Sequence, residues 1–221
     1  MHADIEKTLA NPIEFKTSYY FKTSWDLFWK APWMFIGATV VWGIITSILS
    51  IFPIVGQMAS LLLHAIEMAG FYIVIQKFLN KEAIDFNDFF SGFKLANKLI
   101  VPYVLSIIIM IAGFFFLVIP GIYLAVAYIL VIPISLYYDE DVWNTLEASR
   151  KIVSQNWFSF FGFLILLFLF NILGALCLLI GLLVTIPVSI ISTYILFKDI
   201  LQPSGTDDTY FQDAEILDSS I

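Results

Sequence analysis

The stretch "LLLHAIEMAG" at 61–70 places an imidazole and a carboxyl three residues apart inside a long apolar run. His64 and Glu67 are the only acidic or basic side chains deep within any hydrophobic segment. Helical spacing lets the two groups meet, as a neutral hydrogen-bonded pair or as an ion pair able to exchange a proton. A charge at the bilayer centre costs at least about 2.5 kcal/mol, so such residues face the bundle interior and mark a functional path. The structural alternative is that the pair satisfies itself and pins helix packing. Either way the two should titrate as a coupled pair.

Hydroxyls surround this pair in the sequence pattern. Ser60, His64 and Glu67 fall at i, i+4 and i+7, on one helix stripe. Thr39, Gly43, Thr46, Ser47 and Ser50 form a second stripe one segment earlier, and Thr185, Ser189 and Thr193, with Ser192 adjacent, form a third near the end. Counted at ~1.5 Å per residue from the outer turns, Glu67, Gly43 and Ser192–Thr193 all reach about the same depth. The expectation is that the three stripes meet near the midplane. The hydroxyl stripes by themselves read as packing surfaces, because Ser and Thr allow close helix approach and bond back to their own carbonyls.

Enzymatic chemistry finds no support. The H-x-x-E pair lacks the three or four ligands of a metal site, since the only other histidine is His2 in the polar head. No H-E-x-x-H, phosphate-cradling glycine loop or G-x-S-x-G elbow occurs. No catalytic residue, metal or cofactor is therefore expected. The single cysteine, Cys177, rules out a disulfide within one chain and reads as a small buried hydrophobe.

These residues must be positioned by a chain that has too little polar surface for a water-soluble globule. Hydrophobic residues make up 60% of its 221 positions and charged ones 13%, with a mean hydropathy of +0.90. A net charge of -7 argues against nucleic acid as a partner. The head "MHADIEKTLANPIEF" lacks the basic and short apolar regions of a cleavable signal peptide, so it reads as retained. Six stretches approach the ~20 residues that span a bilayer as helix. They run over about Met34–Phe52, Gln57–Gln76, Ile100–Ile119, Ile122–Tyr138, Phe158–Ile180 and Leu182–Phe197. Pro133 and Pro187 predict bends in the fourth and sixth.

Turns at "FPIVG", "IPG" and "IG" join the six into three tight helical hairpins. An amphipathic segment precedes each hairpin, at about 18–30, 85–98 and 141–157, with its apolar positions on one helical face. Asp85 and Asp141 stand as N-caps. Trp25, Trp29, Phe89, Phe90, Phe93, Trp143 and Trp157 are the expected interfacial anchors of these segments. The fold class predicted is an all-α membrane protein whose single transmembrane domain covers 1–201. The unit of interfacial helix plus hairpin recurs three times and reads as an internal repeat, or as the repetition that any short-looped membrane bundle shows. All 11 Lys and Arg lie in the termini or the longer loops, which by the positive-inside rule puts both termini in the cytoplasm. The acidic tail 202–221 reads as disordered, or as a short helix at "YFQDAEIL" that docks on a basic partner.

The segments "GFYIVIQKFLNKEAIDFNDFFSGF", "IPGIYLAVAYILVIPISLYYDEDVWNTLEASRKIVSQNW" and "GLLVTIPVSIISTYILFKDI" resemble a group of uncharacterised bacterial six-helix integral membrane proteins. Some of these are labelled after the membrane domain of glycerophosphodiester phosphodiesterase. The matching elements are Phe89, Phe90 and Phe93, the Pro120-Gly121 turn, Leu146 to Ser149, and Gly181, Pro187 and Tyr194. The resemblance covers the chain from residue 70 onward, and no stretch reads as the soluble phosphodiesterase domain. It implies a bacterial inner-membrane protein with six helices. The function expected is non-enzymatic: an accessory or scaffold subunit, or a lipid-organising protein, whose partners are membrane lipids and another membrane-protein subunit. The alternative is a small transporter or channel with His64 and Glu67 as proton relay.

Overall fold

The computed structural model describes residues 5, 8–10, 13–177 and 179–201. The tail 202–221 and His2 lie outside the described residues. Among the described residues there is no strand. The helices are α1 (Thr17–Lys30), α2 (Pro32–Ser50), α3 (Val55–Leu79), a 3-10 helix η1 (Phe86–Leu95), α4 (Ala96–Phe116), α5 (Val118–Ala127), α6 (Val131–Tyr137), α7 (Val142–Gln155), α8 (Trp157–Leu176) and α9 (Leu182–Leu201). Six stretches are long and apolar enough to cross a membrane: α2, α3, η1 with α4, α5 with α6, α8 and α9. Their outward faces carry Val101, Ile108, Phe115, Phe168 and Leu169, all exposed. Such a surface suits lipid and not water, so the chain is a multi-pass membrane protein.

The core is built around α9, which packs against α1, α2, α3 and α8 and is almost wholly buried from Val188 to Lys198. Helix α1 lies against it with Tyr20, Leu27 and Phe28 buried, and the Tyr20 hydroxyl donates to Asp199 Oδ2 at 2.7 Å. Edge-to-face contacts of Phe21 with Phe163 and Phe170 tie α1 to α8 as well. The opposite face of α1 leaves Trp25 and Trp29 exposed, edge to face with each other. Consecutive spanning helices pack together across short connections, α2 on α3, α4 on α5 and α8 on α9.

The segment at 86–95, whose helical spacing predicts an amphipathic helix, forms η1, which is wedged along α3. Two glycines make this possible: a Cβ at Gly70 would overlap the Phe89 carbonyl, and one at Gly92 would overlap the Ile66 carbonyl. Only a residue without a side chain permits so close a backbone crossing. Asp85 caps η1 in a reciprocal box with Asp88, and Lys77 Nζ bonds Asp88 at 2.8 Å. Phe89 is therefore no interfacial anchor. It is 0% exposed and packs edge to face on Phe35 and Phe71. Phe90 and Phe93 stack on Trp42 of α2, though Phe93 keeps an exposed edge. Trp157 is likewise held by protein, stacked on Phe161 and donating its Nε1–H to the Tyr123 carbonyl at 3.3 Å. Trp143, 65% exposed, has the free surface an anchor needs.

The breaks also fall where backbone chemistry puts them. The second turn is the extended Leu117, not Pro120-Gly121. Pro120 sits in the first turn of α5, where a missing N–H costs nothing. Pro133 occupies the same kind of place in α6, and the fourth span is interrupted at 128–130 just before it. That interruption frees the Ala127 carbonyl, which accepts from the buried Ser149 hydroxyl of α7 at 2.7 Å. Helix α9 runs on through Pro187. Asp141 precedes α7 without a side-chain cap. Cys177, expected buried, is exposed at the end of α8.

Candidate functional site

Glu67 is the middle residue of α3, twelve positions from Val55 and twelve from Leu79, so roughly 18 Å of helix separates it from either end. It opens into a groove of about 650 Å³. One wall is α2, with Thr39, Gly43, Thr46 and Ser47; the other is the start of α9, with Leu182, Leu183 and Ile186. Ile51 and Leu179, from the first and last short connections, stand together at its mouth. Those two turns thus share one end of the bundle. Every residue of the lining other than Glu67 is uncharged.

The wall hydroxyls spend their protons within α2. Thr39 donates to the Phe35 carbonyl at 2.9 Å, Thr46 to the Trp42 carbonyl at 3.0 Å, and Ser47 to the Gly43 carbonyl at 2.6 Å. What they can offer the groove is lone pairs. The Glu67 carboxyl makes no hydrogen bond among the described residues. The His64 imidazole approaches it, with Nδ1 at 3.6 Å from Oε2. The two differ in setting: the Glu67 side chain is 17% exposed and that of His64 49%. The imidazole lies outside the groove lining, beside the ring of Tyr103 on α4 at 6.0 Å.

Two of the three stripes thus converge, Glu67 with Thr39, Thr46 and Ser47. Ser60 is half-buried and outside the lining. The third stripe belongs to a different helix pair, which corrects the expectation that all three meet. Ser189 donates to the Thr185 carbonyl at 2.7 Å and accepts from Asn171 Nδ2 of α8 at 2.8 Å. Thr193 donates to the Ser189 carbonyl, and Ser192 is fully buried. The physical reason is rotation about the α9 axis. Leu182, Leu183 and Ile186 turn toward α2, while Thr185 and Ser189 turn toward α8. Asn171 was the missed residue. Its signal was present as the lone amide in "LFLFNILGAL", since a carboxamide at that depth needs a partner.

The end of the bundle away from Ile51 and Leu179 carries the charge. Glu147 takes a two-pronged bond from Arg150, at 2.9 and 2.7 Å, and that bonding holds its carboxyl below the usual range and raises the guanidinium further. Burial pushes the Tyr20 phenol up, with its bond to Asp199 acting in the same direction. No group of three or more His, Cys, Asp or Glu able to hold a metal occurs among the described residues. No family model, curated protein or solved structure matches this chain.

Proposed function

We propose that this is a non-enzymatic, lipid-organising membrane protein that lodges an apolar membrane component in the groove between α2 and α9. The observation that carries the reading is the lining: a 650 Å³ groove, within the ~300–1,000 Å³ typical of ligand sites, walled by branched aliphatic side chains and self-bonded hydroxyls. In this reading the chain sits in a bacterial inner membrane as three helical hairpins. Trp25, Trp29 and Trp143 rest at the cytoplasmic interface, and the repeated unit serves as a scaffold for a further membrane subunit. Both termini are cytoplasmic, because every Lys and Arg lies away from the short connections.

Two experiments test this. Gentle extraction followed by native mass spectrometry should find co-purifying lipid that is depleted when Gly43→Phe fills the groove; an unchanged lipid complement would overturn the reading. Cysteines introduced at Ile54 and Ile122 should react with an impermeant reagent on intact cells while one at Asn80 stays protected. The reverse pattern would invert the topology. A second reading, a proton-linked transporter, is favoured by the placing of Glu67 in the groove within 3.6 Å of His64. It requires flux in proteoliposomes that Glu67→Gln abolishes.

A further inference from the structure

The groove has a definite charge preference. Its lining contains no Lys, Arg or His, and the protons of Thr39, Thr46 and Ser47 are committed to carbonyls of α2. An anion entering it would meet a carboxyl and outward lone pairs, and the one uncommitted donor among the lining side chains, the Trp42 indole N–H, is buried and carries no charge to answer it. A neutral apolar molecule would fill the space and leave Glu67 unanswered. A carboxyl in a low-dielectric setting is costly to ionise without a cationic partner, and the His64 imidazole reaches only one of its oxygens, at 3.6 Å and from outside the lining. The missing complement is a single positive charge on an apolar body.

We propose that the groove binds a monovalent organic cation with a hydrophobic body, the charge paired with Glu67 and the body packed on Val40, Ile44, Leu183 and Ile186. This rests on the reading of the groove as a lipid site and deepens it by naming a charge on the occupant. The same charge and body could come as a compact aromatic cation or as a long-chain ammonium, and the depth of Glu67 separates them. At roughly 18 Å from either end of α3, the carboxyl suits a cation surrounded by its apolar body more than a headgroup attached to one end of a chain.

The test uses the full chain in a non-ionic detergent and a pair of probes of one shape and opposite charge, tetraphenylphosphonium and tetraphenylborate, measured by equilibrium dialysis. The cation should bind saturably and the anion should not. Glu67→Gln should weaken the cation at least tenfold, Glu67→Asp should retain part of the affinity, and Gly43→Phe should remove it. Dodecyltrimethylammonium should bind more weakly than tetraphenylphosphonium; a reversed order would assign the site to long-chain amines and overturn the placement of the charge at depth. Equal binding of the two tetraphenyl ions by the wild-type chain, or none of the cation, would overturn the proposal whatever the variants do. If Gly43→Phe depletes co-purified lipid while the cation fails to bind, the lipid-site reading stands and the cation site alone falls.

Discussion

Where α9 meets α8, Gly174 draws the backbones so close that a Cβ there would overlap the Thr185 hydroxyl, and Asn171 reaches across to Ser189 at 2.8 Å. Where α9 meets the groove, Gly43 of α2 has no neighbouring atom within 4 Å of the place a Cβ would take, and the polar group there, Glu67, makes no hydrogen bond to another helix among the described residues. Both flanks have the same ingredients: a small residue, a stripe of hydroxyls and one stronger polar side chain. The α8 flank uses them for a closed contact. The α2 flank leaves them lining open space. A small residue inside a membrane helix therefore marks close packing only where a neighbour claims the room it leaves.

The contrast is broken most severely by Gly174→Val. Its β-carbon and methyls have no place beside Thr185, and overpacking of this kind costs about 1–3 kcal/mol. The thermal midpoint in detergent should fall clearly, and an unchanged midpoint would mean that the α8–α9 contact is looser than described. Next in size is Asn171→Leu, which deletes the interhelical bond to Ser189 and should cost roughly 1 kcal/mol in the same assay. Glu67→Gln, by comparison, should leave the midpoint where it is. Gly43→Ala should act in the opposite direction. With open space around it, the gain is the helix preference of alanine, up to about 1 kcal/mol, and a lower midpoint instead would show that the groove is filled at rest.

The smallest effect belongs to the charged end. The folded-state carboxyl of Glu147 lies below its ordinary value of 4.5 because Arg150 bonds the ionised form. A depressed carboxyl contributes stability that is fully present above its unfolded value and is lost as pH falls through the folded one. Acidification below about pH 4.5 should therefore cost the wild type more stability than Glu147→Gln, by no more than about 1 kcal/mol since the pair is partly exposed. Identical acid profiles would remove that contribution.

The spans were legible in the sequence because ~20 apolar residues leave few alternatives, and the observed ends differ from the expected ones by only a few residues in most of them. The acid-bearing stripe and the α2 hydroxyls could be read because helical spacing fixes which residues share a face. What spacing cannot say is what covers that face. Lipid tails are as apolar as a leucine, so Phe89 has the same pattern whether it faces membrane or the ring of Phe71. The clue that decides it, Gly70 against the Phe89 backbone and Gly92 against the Ile66 backbone, lies in two segments that pattern reading treats separately. The rotation of α9 was hidden for a similar reason. Thr185, Ser189 and Thr193 share a stripe, but whether it turns to α2 or to α8 depends on packing among helices distant in sequence. Asn171, by contrast, stood alone in an apolar run and was open to notice.

The central position of α9 also has a consequence for biogenesis. Among the six spans it is the last to be synthesised, yet it is the most thoroughly buried. The five spans before it must therefore enter the bilayer and wait with their eventual core faces against lipid. For Phe35 or Phe163 that wait costs little, because one apolar neighbour replaces another. Asn171 is in a harder position: until Ser189 arrives, its Nδ2 has the Leu167 carbonyl of its own helix, at 2.8 Å, as its one partner among the described residues. Glu67 meanwhile faces α2 alone, with the second wall of its groove still unmade. The final helix thus completes the core and the site in one event, and a nascent chain halted before residue 182 would have neither.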